Sequence, residues 1–230
     1  MNFRAIILVL VIVVFAVSMG AVNFASLGSV DLEQAQTEGT ISVIQNTEAG
    51  TVPHTVTISN NGTQNVQVNQ GQLLLSPDSQ DLVVAENVTV PPGTNSTVKA
   101  YCTEPDQKAA PGSSLTANQT ANTVVLTIIA ASVPSDPVSA RQAQLKIWNL
   151  VTGGQVDPYT GEAAAMVKIN KSSYYQLRQD ISAAKDSLST QFNLNNETLK
   201  NMQNLVDTRD GFTKWLSGLE NWANQVLGMG

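Results

Sequence analysis

Histidine and cysteine each occur once in the 230 residues, as His54 and Cys102, and charged residues make up only 13% of the chain. With a single cysteine no intramolecular disulfide can form, and with a single histidine a His-based metal site is not expected. A hydrolase triad would have to use His54, which precedes a strand and has no acidic or nucleophilic partner identifiable in the sequence. Bases are scarce as well. Twelve Lys and Arg against 18 Asp and Glu give a net charge of −6 and a pI near 4.7, so nucleic acid is not an expected partner. There is no phosphate-cradling glycine motif, and "GQVDPYTGE" lacks the acid spacing of an EF-hand loop. No acid pair is singled out by its setting for glycoside cleavage. The expectation is therefore a protein without metal or cofactor, and not an enzyme.

What is present begins with an address. "MNFRAIILVLVIVVFAVSMGAV" sets one cation, Arg4, before an apolar run from Ala5 to Val17, with small Ser18 and Gly20 after it. That is the order of a secretory signal, with cleavage after Gly20 one candidate. A retained anchor is the alternative, because no charge intervenes before Asp31. Either way residues 1–27 place the body of the protein outside the cytoplasm, at the cell surface or beyond it, with the membrane touched only through this segment. Sequons at Asn61, Asn87, Asn95, Asn118, Asn170 and Asn196 permit glycosylation there.

From Thr40 to about Cys102 the apolar period is two. "HTVTISNNGTQNVQVNQ" sets Val56 and Ile58 against Val66 and Val68 across Asn-Gly, which predicts a hairpin. Short strands broken by Ser-Pro-Asp and Pro-Pro-Gly follow, and the alternation of the last puts Val98, Ala100 and Cys102 on one face and Lys99 and Tyr101 on the other. Lys99 therefore points away from any intramolecular isopeptide. Residues 103–122 read as a long polar loop. "TVVLTIIAASV" is apolar throughout and reads as a buried strand in preference to a buried helix. Asp136-Pro137 then caps a helix to about Thr152, whose inward side carries Ala140, Gln144, Ile147, Trp148 and Val151.

Further on, two helical stripes follow. One is Met166, Tyr174, Leu177, Ile181, Ala184, Leu188 and Phe192; the other is Leu199, Met202, Val206, Leu216, Leu219, Ala223 and Val226. The fold expected is α+β: an antiparallel β-sandwich over 36–135, then over 136–228 a packed helix and a helical hairpin.

Two inward groups, the Cys102 thiol and the Gln144 amide, are thus expected to meet between sheet and helix. "AYCTEP" and "KAAPG", followed by "AQLKIWNLVTGG", resemble the thioester domains of bacterial and related cell-surface proteins. In that family an aromatic-Cys element is paired with a Thr-Gln-x-Ala-Ile-Trp segment. Tyr101 and Cys102 match the first element; Gln144, Ile147 and Trp148 match the second. Ala143 and Lys146 depart from it. The resemblance implies a Cys102–Gln144 thioester that captures surface amines, hence a role in adhesion with an amine-bearing ligand or envelope components as partners. A structural surface or filament component with the same fold and no such bond is the other reading, and a Cys102 nucleophile the third.

Overall fold

The computed structural model describes residues 28–200. The N-terminal apolar run and residues 201–228 of the expected hairpin lie outside that range. Among the described residues no helix is long and apolar enough to cross a membrane.

The architecture is mixed α and β, with two sheets. The larger is a curled antiparallel half-barrel of β2 (Ile41–Gln45), β3 (His54–Asn60), β5 (Gln72–Leu75), β6 (Leu82–Val84), β8 (Asn95–Cys102) and β9 (Thr116–Thr120), in the order β2-β3-β8-β6-β5-β9. The smaller sheet runs β1 (Ser29–Asp31), β4 (Asn65–Val68), β7 (Val88–Val90), with β1 parallel to β4. A short helix α1 (Leu32–Thr37) begins where the Asp31 carboxylate accepts from Gln34 N–H, and it buries Leu32 and Ala35.

Alternation sorts the side chains of the large sheet. Val56, Ile58, Val98, Ala100 and Cys102 join one core cluster, with Leu145, Trp148, Met166 and Leu177; Val83 and Tyr101, one residue out of phase, join a second with Ile129, Ile147 and Leu188. Both faces of β6 and of the last three residues of β8 are therefore covered, which is why β6 is buried at every position.

Three expectations are corrected. The hairpin across Asn61-Gly62 does not form, because β3 pairs with β2 and β8 while β4 pairs with β1 and β7. The Asn60 side chain explains the crossing: its oxygen accepts from Gly62 N–H and its nitrogen donates to Gln64 O and Val90 O, so the turn is tied across the two sheets. The supposed strand "TVVLTIIAASV" is instead helix α2 (Thr123–Ala130), started by the Asn122 side chain accepting from Val125 N–H and buried through Val124, Val125, Ile128 and Ile129. The polar loop contains β9, which extends the sheet beyond β5.

Helix α3 (Pro137–Val151) follows the sequence expectation closely. Asp136 accepts from Val138 and Ser139 N–H and proline stands in the first turn. It packs against β8 on one side and against α5 (Tyr174–Phe192) on the other, fastened by Arg141 to Asp180 at 2.7 Å and by Asn149 Nδ2 donating to Ile181 O at 3.0 Å. Between them α4 (Gly161–Ile169) docks its first turn onto the loops at one end of the sheet.

Candidate functional site

Strand β8 ends at Cys102 with an unfinished edge. Thr103 N–H bonds to Asp81 O and Ala85 N–H to Lys99 O, so the odd-numbered residues of β8 bond toward β6 and the even-numbered ones toward β3. β3, however, begins at His54, paired with Ala100, so the pairing stops two residues short of Cys102. Cys102 is thus left with a buried N–H and C=O and no strand beside them.

Gln144 fills that place from α3. Its Oε1 accepts from Cys102 N–H at 2.9 Å and its Nε2 donates to Cys102 O at 2.7 Å, the two-way exchange an antiparallel neighbour would make. Both residues are fully buried. The structure therefore brings Cys102 and Gln144 together, and through Cys102's main chain.

The thiol faces elsewhere. Cys102 Sγ accepts from Glu104 N–H at 3.3 Å. Buried Trp148 lies close enough for its indole N–H to favour the thiolate, without forming a hydrogen bond of normal geometry. Burial, seconded by the charge of Glu162, outweighs both donors and pushes the thiol well above its ordinary value. A thiol so held is protonated at neutral pH and a poor nucleophile.

Beside it lies a group the sequence did not assemble. Glu162, fully buried in the first turn of α4, accepts from Gly50 N–H at 2.5 Å and from Ala109 N–H at 2.6 Å, one bond to each carboxylate oxygen. Its Oε2 is 3.4 Å from His54 Nε2. The His54 ring is completed by Thr47 Oγ1 on Nδ1 at 2.9 Å and by the Gln80 amide on Nε2 at 2.8 Å. Ser79 extends the cluster, donating to Gln45 Oε1 and accepting from Ala110 N–H. One carboxylate thus ties the 46–53 and 103–115 loops to α4 and, through the imidazole, to the loop before β6.

Close backbone approach makes this possible. A Cβ on Gly161, where φ is +50°, would sit 2.3 Å from Pro105 O, and one on Gly50 would sit 2.3 Å from Ala165 C. Glycine alone lets α4 come that near, and Glu162 N–H then bonds to Pro105 O at 2.9 Å. The signal for Glu162 in the sequence is an acid four residues before Met166, on the face that the apolar stripe assigns to the core. Nothing local points to His54 as its partner, 108 positions away (162 minus 54).

The remaining predicted residues are placed as follows. Tyr101 is buried on the opposite face of β8, its hydroxyl 3.0 Å from Ser132 Oγ; Ile147 is buried in the same cluster. Asn61, Asn87, Asn95, Asn170 and Asn196 are exposed, and Asn118 is half-buried. Among the described residues no group of three or more His, Cys, Asp or Glu side chains is arranged to hold a metal.

A mixed α/β domain whose polar side chains are turned inward to complete its own sheet and loops is the class of protein this geometry defines. A family model, the ARG and Rhodanese-Phosphatase-superfamily-associated Protein domain, matches residues 7–212, and the chain belongs to that family. No curated protein matches, and no solved structure does.

This membership overturns the resemblance to thioester domains, and with it the expected amine ligand, the adhesive role, the alternative of a surface filament component and the envelope partners. The motif misleads for a physical reason. Cys102 and Gln144 do face one another, but both polar atoms of the amide are committed to the main chain and the thiol is held protonated.

Proposed function

We propose that this protein is a non-enzymatic accessory module, whose surface engages a partner of the kind its family description names, a protein of the rhodanese-phosphatase superfamily. The observation that carries this reading is the closure of the polar centre. His54, Gln80, Cys102, Gln144, Trp148 and Glu162 are all 0% exposed, and the polar atoms they direct at their surroundings mostly meet the chain's own backbone or one another. A catalytic group must reach a substrate atom; these groups hold loops in place. The reading includes no cofactor. It also includes a position outside the cytoplasm, which the run Ala5–Val17 behind Arg4 supports and which protease treatment of intact cells tests.

The test of the main reading is calorimetric titration of the purified chain with a rhodanese-phosphatase-superfamily protein from the same source, alongside phosphatase, esterase and sulfurtransferase assays of the chain alone. Saturable binding with no turnover is the expected result. Turnover that disappears in Cys102→Ala or His54→Gln would overturn it.

A further inference from the structure

Three of the large apolar side chains most exposed among the described residues fall within one short stretch: Tyr159 at 55%, Ile169 at 40% and Tyr175 at 63%. They surround the turn where α4 ends and α5 begins. Tyr159 and Tyr174 stack with ring centroids 5.0 Å apart, and Tyr175 follows on the first turn of α5, its hydroxyl accepting from Gln179 Nε2 at 2.9 Å.

Charge at this corner runs against the rest of the chain. Lys168, Lys171 and Arg178 are exposed, and among the described residues none has a carboxylate within ion-pair distance. Most acids of the same stretch are otherwise engaged: Glu162 is buried on His54 and Asp180 is bound by Arg141 and Gln176. Asp157 is exposed and keeps its charge while accepting from Tyr159 N–H, so among the described residues of this stretch three free cations stand against one free acid. In a chain of net charge −6, an acidic partner is repelled by most of the surface and drawn to this part of it.

The corner is also stiff. Buried Met166 and Leu177 root the two helices. Asn170 Nδ2 closes the end of α4 on Met166 O, Ser172 N–H bonds to Val167 O, and Ser173 caps α5 by accepting from Gln176 N–H. Tyrosines on a fixed backbone lose little freedom on binding, which is why rigid aromatic anchors with cationic neighbours dominate contact energies.

We propose that this corner is the docking surface of the module, and that its occupant is an acidic protein segment carrying apolar or aromatic side chains. Tyr159, Tyr174 and Tyr175 take the apolar groups; Lys168, Lys171 and Arg178 pair with the carboxylates. The proposal rests on the partner-binding reading above and names the surface and the chemistry of that contact.

The test uses the full chain and two probes: the rhodanese-phosphatase-superfamily protein already named, and a labelled peptide of alternating Glu and Trp followed by anisotropy. Tyr175→Ala with Arg178→Glu should weaken both by about 30-fold or more, the effect of losing one central anchor. Val133→Asp with Val138→Asp, at the other exposed apolar site, should leave both within about two-fold, since scattered surface changes rarely couple to a distant contact. Raising salt from about 50 to 500 mM should weaken binding markedly. Equal binding by the corner variant, or loss in the Val133/Val138 variant instead, would overturn the corner while the partner reading stands. Peptide binding without protein binding would support the corner and overturn the partner reading. Binding to neither would overturn both, and tighter binding to anionic vesicles or RNA than to the peptide would overturn the acidic-protein occupant.

Discussion

If Gln144 serves as a substitute strand, its loss should cost far more than loss of the thiol beside it. Gln144→Leu keeps the side-chain volume roughly constant and removes both hydrogen bonds to Cys102, leaving a buried N–H and a buried C=O without partners. Each orphaned group costs about 1–3 kcal/mol, so about 2–6 kcal/mol is expected, against a domain stability of about 5–15 kcal/mol. For a chain of this size that corresponds to a fall in Tm of roughly 2–4 °C per kcal/mol.

Cys102→Ala, by contrast, leaves both of those backbone bonds in place and removes one sulfur atom from a packed site, a cost of about 1 kcal/mol. Urea unfolding followed by tryptophan fluorescence, with Trp148 against the thiol, gives both values on one scale. A larger loss for Cys102→Ala than for Gln144→Leu would refute the reasoning, and so would an intact wild-type mass lighter than the sequence by one ammonia.

Three other predictions concern titration and close packing. Asp81 and Glu104 are both raised above their ordinary values of 3.8 and 4.5 by burial, so the folded chain holds protons there that the unfolded chain has released, and stability should fall as pH rises from those values through the folded ones. Asp81→Asn with Glu104→Gln keeps an oxygen to accept from Ser76 and Asp81 N–H; stability measured from pH 4 to 7 should lose that slope, and an unchanged slope refutes the assignment. Burial likewise holds the Cys102 proton well above 9.0, so the folded chain should resist iodoacetamide until denatured and lose stability as pH climbs through that value, a loss that Cys102→Ala abolishes; fast native labelling would contradict the sealed site. Gly161→Ala should be recovered folded poorly or not at all, judged by soluble yield and thermal melting, because its Cβ would overlap Pro105 O; a wild-type melting curve would show that α4 is not held so close.

How far the sequence reveals this arrangement depends on how local each cause is. The α3 boundaries are legible because Asp136, Pro137 and the inward stripe are contiguous. The facing of Cys102 and Gln144 follows from two periods, two for β8 and 3.6 for α3, each readable alone. The pairing of β3 is not legible: Asn61-Gly62 satisfies every local rule for a hairpin, yet the bonds of Asn60 reach Val90, thirty positions on. "TVVLTIIA" has no period to read, and its helical state is decided by the Asn122 cap and by burial among α3 side chains. His54 looks isolated because its partners Gln80 and Glu162 come from a loop and a helix far along the chain. The same two inward residues that suggest a covalent bond also suit a main-chain repair, and the start of β3 at His54, two residues short of Cys102, is a pairing limit that no local signal reveals.

The sealed centre and the exposed corner share one helix, and this makes their connection measurable. Glu162 fixes the first turn of α4 through Gly50, Ala109 and His54, while Lys168 and Ile169 stand in its last turn. In Glu162→Gln one carboxylate oxygen becomes an NH₂ facing a backbone N–H, so a bond is replaced by donor against donor, and leaving that buried N–H without an acceptor costs about 1–3 kcal/mol. If α4 moves as a unit, the loss should appear twice: as lower stability in urea, and as weaker peptide binding at the corner although no corner residue has changed. His54→Gln, which keeps a polar side chain near Glu162, should lose less on both counts. A chain that melts earlier yet binds the acidic peptide as tightly as the wild type would show that the centre serves stability alone, with the corner held by Met166, Leu177 and the Ser173 cap.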